Sequence, residues 1–347
     1  MYKIGICGHF GNKKNLLNGQ TVKTKIITNE LSKQLGEDEI TTVDTHNWKR
    51  NPFKLLVENF NLIKKSNNII ILPAHRGIKV FVPLFLLFNI FFNRKLYYIV
   101  IGGWLPEILQ NNLKLKNRLK KFDGIYVETK SMMKDLNKLG LLNVDVIPNF
   151  KVINVLKEDE LRCTNKQPFK VCTFSRVMKE KGIEDAINVI IKINSEAQEE
   201  IYNLDIYGQV EKGYEKRFEE LQKNFPSYIK YKGLVEFDKA TDILKNYFLL
   251  LFPTKYEGEG FPGTVLDAFA SGVPIVATDW KYNSEIIINN KTGFIYNNNI
   301  ENFDYLLKDL ANNPKKVLSL KNNCLNEINK YNPNIVISKL LKKMKVD

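Results

Sequence analysis

The chain has 347 residues, 44% of them hydrophobic, and a formal net charge of +14 at pH 7. That length exceeds one ordinary α/β core and suits two domains of about 170 residues each, and the apolar content excludes a disordered chain. The cationic excess sits in the first half: residues 1–165 hold 26 Lys and Arg against 14 acids, net +12, and residues 166–347 hold 26 against 24, net +2. A positive half points to an anionic partner. The sequence has no zinc-finger spacing, no RNP-like aromatic motif and no DNA-reading helix pair, so nucleic acid is not expected to be that partner.

In chain order, strand-like runs at 3–7, 40–44, 69–72, 96–101, 124–128 and 144–147 alternate with helical ones, the signature of a parallel, doubly wound sheet. The first strand begins almost at Met1, without the charged, apolar and cleavage regions of a secretory signal. A glycine-rich loop, residues 8–24, follows it and enters a helix near Val22; its Lys13, Lys14 and Lys23 are placed to meet a phosphate or to be solvated. His9, His46 and His75 each stand just past one of the first three strands, on the rim where such sheets bind ligands.

The longest apolar run, 80–92, is thirteen residues broken by Pro83 and Asn89, short of the roughly 20 needed to span a bilayer, and reads as a buried or interfacial helix. Residues 112–123 set Leu115, Leu119 and Phe122 at helical spacing among basic residues. That stripe suits either an anionic membrane surface, at about 1 kcal/mol per basic residue, or docking on the sheet. Residues 334–345 repeat the theme with Ile337, Leu340, Leu341 and Met344.

After a polar stretch at 157–167 the alternation restarts, with strands at 169–174, 202–207, 229–231, 248–252 and 275–277. The expected division is 1–160, 161–330 and a terminal helical segment 331–347. Cys7, Cys163, Cys172 and Cys324 form no C-x-x-C pair and read as reduced, mostly buried thiols.

Two segments of the second half carry candidate chemistry. In FSRVMKEKGIEDA, Arg176 and Lys181 lie between a strand and a helix starting near Ile183, where a guanidinium fork and an ammonium can both meet a diphosphate. In YEGEGFPGTVLDAFASGVPIVATDW, Gly258, Gly260 and Gly263 with Pro262 make a loop that opens into a helix over 264–271. The amides of Gly263, Thr264 and Val265 would then be free to receive an anion, and Glu259 and Asp267 suit sugar or ribose hydroxyls. Thr264 and Asp267 also have the spacing of a capping box.

These two segments resemble the retaining GT-B glycosyltransferases of family four, the glycosyl transferases group 1 of bacterial surface-polysaccharide type. The family carries a Glu, seven residues and a second Glu across such a loop and helix; here the pair is Glu259 and Asp267, the second one methylene shorter. The resemblance implies two Rossmann-like domains facing a central cleft, an acceptor domain first and a donor domain second, with the last helix crossing back to the first. It implies a hexose-type transfer, with retention, from a nucleotide sugar, UDP-linked rather than GDP-linked, to a glycan acceptor on a lipid diphosphate in capsule, exopolysaccharide or O-antigen synthesis. The sequence contains no D-x-D triplet, so no metal and no further cofactor is expected.

The donor site implied by the resemblance comprises Arg176, Lys181, Gly208, Gly233, Gly260, Phe261, Gly263, Thr264 and Asp267. Glu259 would hold the reacting sugar. Many relatives place a histidine after the fourth strand, where this chain has Gly102 and Gly103; His75 is the substitute, and Gly11, His9, Gln20 and Gly103 form the acceptor side. The expected location is cytoplasmic, peripheral at the inner face of the cell membrane. A non-catalytic GT-B subunit that binds glycan or a partner transferase, and a GT-B-like sugar-nucleotide epimerase or phosphorylase, fit the same pattern.

Overall fold

The computed structural model describes residues 1–11, 19–46, 49–162 and 165–346. Lys13, Lys14 and Cys163 of the sequence reading lie outside the described residues. The chain divides into two compact units. The first comprises Met1–Val152, Gly258–Phe261 and Tyr331–Asp347, and the second Ile153–Glu257 and Pro262–Lys330.

The first unit is built on six strands, β1 (Tyr2–Gly8), β2 (Ile40–Asp44), β3 (Ser66–Ile71), β4 (Lys95–Ile99), β5 (Gly124–Val127) and β6 (Val144–Val146). They are all parallel, in the order β2-β1-β3-β4-β5-β6. β3 begins three residues before the apolar run, because Ser66 is buried and Asn68 donates its side-chain amide to the Lys3 carbonyl at 3.0 Å. Continuous apolar runs such as Ile69–Leu72 and Leu96–Val100 are buried throughout, as expected of parallel strands covered on both faces.

Helix Pro333–Met344 belongs to this first unit. Its Val336, Ile337, Leu340, Leu341 and Met344 share a core with Ile27 and Leu31 of helix Gly19–Leu35 and with Tyr97 and Tyr126 of the sheet. Tyr97 donates its hydroxyl to the Met344 carbonyl at 3.0 Å, and Lys343 pairs with Asp145. Asn332 caps the helix by accepting from the Asn334 amide at 2.9 Å, with Pro333 in the first turn. The stripe at 112–123 has the same fate. It forms helix Leu113–Leu119, and Leu115, Leu119 and Phe122 are all buried, so this apolar face is consumed inside the protein and is not available to a membrane.

The second unit holds β7 (Phe169–Phe174), β8 (Tyr202–Tyr207), β9 (Ile229–Gly233), β10 (Leu249–Phe252), β11 (Ile275–Thr278) and β12 (Gly293–Tyr296). They are parallel in the order β12-β11-β10-β7-β8-β9. β12 has no counterpart in the sequence reading: it is four residues long and lies beyond the last apolar run recognised there. The core joins Phe169, Val171, Leu204 and Leu251 to Ile183, Ile187 and Ile190 of helix Ile183–Ala197.

Each sheet reverses its strand order once, between β1 and β3 in the first and between β7 and β10 in the second. Crevices at such reversals, beyond the carboxyl ends of the strands, are where open α/β sheets bind ligands. Cys7, Cys172 and Cys324 are buried free thiols whose pKa burial pushes far up, so they are unreactive. Among the described residues no helix is long and apolar enough to cross a membrane.

The terminal helix is integral to the first unit's core. Leu340→Ala is expected to lower unfolding stability by about 2–5 kcal/mol, read from denaturant midpoints, while truncation of exposed Ile335 should change it by less than about 0.5 kcal/mol.

Candidate active site

In the second unit the reversal lies between β7 and β10, and the segments that follow these strands carry the cationic candidates. Arg176 follows β7, and Lys181 ends the short turn Lys179–Lys181. Tyr256 follows β10. Its ring lies 5.3 Å from the Arg176 guanidinium carbon and 5.1 Å from Lys181 Nζ, so the two cations converge on one aromatic ring. Lys181 also approaches the Phe252 ring at 5.4 Å and is buried, whereas half-exposed Arg176 pairs with Glu211 at 2.8 Å.

Backbone bonds hold this arrangement. The Tyr256 amide donates to Thr254 Oγ1 at 3.3 Å, Trp280 Nε1 donates to the Tyr256 carbonyl at 3.0 Å, and the Lys255 amide donates to the Glu180 carbonyl at 2.7 Å. Gly182 turns the chain at φ 71°, and a Cβ there would lie 2.1 Å from the Pro253 carbonyl oxygen. Only glycine lets the segments after β7 and β10 approach this closely.

Gly208 and Gly233 are joined by a hydrogen bond from the Gly208 amide to the Gly233 carbonyl at 2.9 Å, and Tyr231 donates its hydroxyl to the Gly208 carbonyl at 2.8 Å. Gly263, Thr264 and Asp267 lie in helix Gly263–Ala270, one residue earlier than the sequence pattern placed it. Pro262 stands at the cap position, no side chain caps the helix, and Thr264 Oγ1 has no partner, so the capping box does not form. The Val265 amide is not free either: it donates to the Pro262 carbonyl at 3.1 Å. Asp267 is buried within the helix.

Glu259, Gly260 and Phe261 fall in the short segment that belongs to the first unit, and Glu259 is buried. The Phe261 amide donates to Glu128 Oε2 at 2.9 Å, Asn149 donates to the Phe261 carbonyl at 2.9 Å, and the Gly103 amide donates to the Gly258 carbonyl at 3.1 Å. The other oxygen of Glu128 pairs with Lys23. Both partners are buried, so Lys23 is committed to this pair and does not serve as a phosphate ligand on a solvated loop. A Cβ on Gly260 would lie 2.3 Å from Glu128 Oε2.

The rim histidines separate into two groups. His9 Nδ1 lies 2.7 Å from Thr21 Oγ1, and His9 Nε2 lies 3.1 Å from His46 Nδ1. Asp44 accepts from the amides of Phe10 and His46, each at 2.8 Å, and so holds the two loops together. Burial pushes the His9 pKa below its ordinary value of 6.5; Asp44 opposes that shift and His46 adds to it. His75 is exposed and meets Trp104 edge-on at 5.6 Å, while Trp104 Nε1 donates to the Ile101 carbonyl at 2.8 Å. Gln20 donates to the Leu72 carbonyl at 3.2 Å, beside β3, and Gly11 turns at φ 83°.

Sequence reasoning passed over Tyr256 and Glu128. Both were accessible to the strand-end rule, since each follows a strand closely. Among the described residues, no group of three or more His, Cys, Asp or Glu side chains is arranged to hold a metal ion.

The architecture has solved counterparts. Over 99% of both chains, at 14% identity and a TM-score of 0.78, it superposes on Anabaena Alr3699/HepE, a structure determined in complex with UDP. The fold is GT-B. Residues 158–326, just under half of the chain, match the family Glycosyl transferases group 1. The chain is 25% identical over 153 residues to the uncharacterized glycosyltransferase MJ1069 of Methanocaldococcus jannaschii, covering 43% of this chain and 37% of that protein. It is 27% identical over 172 residues to the UDP-N-acetylglucosamine–peptide N-acetylglucosaminyltransferase GtfA subunit of Streptococcus agalactiae, covering 48% of this chain and 32% of that protein. The chain thus spans about a third of the length of these curated relatives.

Two measurements check the first unit's geometry. Lys23→Met strands a buried carboxylate and is expected to cost about 3–5 kcal/mol in denaturant unfolding, with the Lys23→Met/Glu128→Gln double variant recovering part of that loss. His9 should titrate below 6.5 by NMR. Its folded pKa is lowered, so the unfolded chain takes up the proton first. Stability is then whole above 6.5 and declines as pH falls through that value towards the folded pKa, and His9→Gln should flatten this slope.

Proposed function

We propose that the protein is a retaining glycosyltransferase of family four that transfers a hexose-type sugar from a UDP-linked donor to a glycan acceptor carried on a lipid diphosphate, in surface-polysaccharide synthesis of the capsule, exopolysaccharide or O-antigen type. The observation that carries the donor half of this reading is the convergence of Arg176 and Lys181 on Tyr256 at the strand-order reversal of the second sheet. A departing nucleoside diphosphate gathers negative charge in the transition state, and two cations held in place before reaction stabilise it without reorganisation. The fork of Arg176 suits two phosphate oxygens, and the ammonium of Lys181, buried at the end of its turn, suits one. Such a pair performs the task that other transferases give to a divalent metal, so activity is expected without one.

Gly208 and Gly233, joined after β8 and at the end of β9, supply backbone groups for the base, and Asp267 is assigned to the ribose. Glu259 is assigned to donor-sugar hydroxyls. Its neighbours Gly260 and Phe261 are fixed by Glu128, which supports the precision that role requires. The retaining course is the one the family resemblance implies, with the acceptor attacking from the face that the diphosphate leaves and the departing phosphate taking the acceptor's proton. UDP as the carrier is supported by the names of two relatives, one solved with UDP and one called a UDP-N-acetylglucosamine transferase. His9, Gln20, Gly11, Gly103 and His75 are assigned to the acceptor side. Action at the cytoplasmic face of a membrane follows from a lipid-borne acceptor.

Lys181→Ala and Glu259→Ala should each lower kcat by about 10²–10³, with far-UV circular dichroism unchanged, and chelator should leave the wild-type rate intact. Donor identity is read by thermal shift across nucleotide sugars, where stabilisation grows with the logarithm of ligand concentration over Kd. Full turnover in both variants, or strict dependence on added metal, would overturn the assignment. A wild-type protein that turns over no nucleotide sugar would instead be a non-catalytic subunit.

A further inference from the structure

Helix Ile78–Phe92 contains fourteen uncharged residues and one lysine in fifteen. A helix apolar on every side belongs in a core or a bilayer, and at this length it falls short of the roughly 20 residues a span requires. Only one side of it is covered. Ile78, Phe81, Val82, Phe85 and Phe88 are buried, whereas Val80, Leu87, Ile90 and Phe91 are exposed, the last two at 74% and 73%. Positions 80, 87 and 91 recur at helical spacing, so the exposure is a stripe rather than a scatter.

The neighbouring helix extends the patch. Pro52–Lys65 packs against Ile78–Phe92 through Phe60, whose ring meets Phe88 at 5.4 Å and Phe92 at 5.3 Å. It exposes Phe53, Leu56 and Val57, with Phe53 at 85%. Helix Leu113–Leu119 also packs against Ile78–Phe92 and exposes Leu113. Large apolar side chains exposed on three helices packed together mark an interaction site.

Charge selects the occupant. The three helices carry Lys54, Lys64, Lys65, Lys79, Lys114, Lys116 and Arg118 against one acid, Glu58, which is paired with Lys54 at 3.7 Å. Their net +6 is half of the +12 excess of residues 1–165. A protein partner for so apolar a stripe would need a matching acidic rim. A bilayer rich in anionic phospholipid offers headgroups and acyl chains together, matching both the charge and the apolar exposure of these helices.

We infer that the outer face of helices Pro52–Lys65 and Ile78–Phe92 docks the protein on an anionic phospholipid surface, with Phe53, Leu87, Ile90 and Phe91 entering the acyl boundary and Lys64 and Lys65 meeting the headgroups. This deepens the membrane-side part of the proposed function and rests on that reading for the location of the acceptor. It replaces helix Leu113–Leu119 and the terminal helix as lipid-facing elements, since their apolar stripes are buried.

The test is flotation of the full chain with vesicles of phosphatidylglycerol and phosphatidylcholine, against phosphatidylcholine alone. The wild type should float with the anionic vesicles only. Leu87→Glu/Phe91→Glu should reduce the floated fraction at least tenfold, Lys64→Glu/Lys65→Glu should weaken binding most at low salt, the difference from wild type narrowing as salt is raised, and Leu142→Glu, a substitution at another exposed leucine, should leave it unchanged. UDP-dependent thermal stabilisation, read on the same samples, shows that the variants are folded and reports the donor site separately. Absence of flotation by the wild type, or equal flotation by Leu87→Glu/Phe91→Glu, would overturn the inference. So would a wild-type dimer by sedimentation that this variant converts to monomer, since the face would then join two copies of the chain.

Discussion

The buried pairing of Lys23 with Glu128 is the constraint from which the first unit's candidate chemistry follows. Removing two charges from water is costly, and the cost is met only when geometry is good and the remaining lone pairs are satisfied. Glu128 meets both conditions by dividing its oxygens, one to the ammonium and one to the Phe261 amide. One carboxylate therefore joins helix Gly19–Leu35, the end of β5 and the segment bearing Glu259. It also explains a residue choice that the loop alone does not, because the oxygen that receives the Phe261 amide occupies the space a Cβ on Gly260 would take. Glycine at 260 is required by a side chain 132 positions away, as well as by any ligand.

In the second unit the organising feature is topological. A strand-order reversal leaves a crevice because the chain leaves β7 and β10 in opposite directions, and the segments after those strands end with Arg176, Lys181 and Tyr256. Gly182 allows the two segments to close on each other, and the cations then share an aromatic ring whose attraction offsets part of their repulsion. The cluster is a consequence of sheet order before it is a consequence of any one residue.

The alternation of strands and helices was legible along the chain because parallel strands buried on both faces are short unbroken apolar runs. Among the described strands, β4, β10 and β11 lie on such runs, whereas β8 and β9 alternate apolar and polar residues; the four-residue β12 does not stand out, and the polar start of β3 is visible only once Asn68 finds the Lys3 carbonyl. Arg176 and Lys181 were legible from their charge and their position after a strand; Tyr256 follows β10 in the same way, but an uncharged aromatic beside a glycine loop does not announce itself as part of an anion site. The histidines mark a different limit. Their shared place past successive strands was visible, but the pairing of His9 with His46, and of His75 with Trp104, depends on loop paths that spacing does not encode. Lys23 looked like a solvated loop lysine because its partner is 105 residues away.

Amphipathic periodicity reports that a helix has an apolar face and says nothing about what covers it. Residues 113–119 and 333–344 carry basic, amphipathic patterns, and both spend their apolar stripes inside the first unit. Helix Ile78–Phe92, with hardly any polar face to define a period, is the one left half uncovered. The reason is geometric: a helix laid on a sheet buries about half its circumference, so an amphipathic helix is satisfied by that layer alone and an all-apolar one is not. Half of the cationic excess of the first half lies on that helix and the two that pack against it, which ties part of the chain's charge asymmetry to one group of elements.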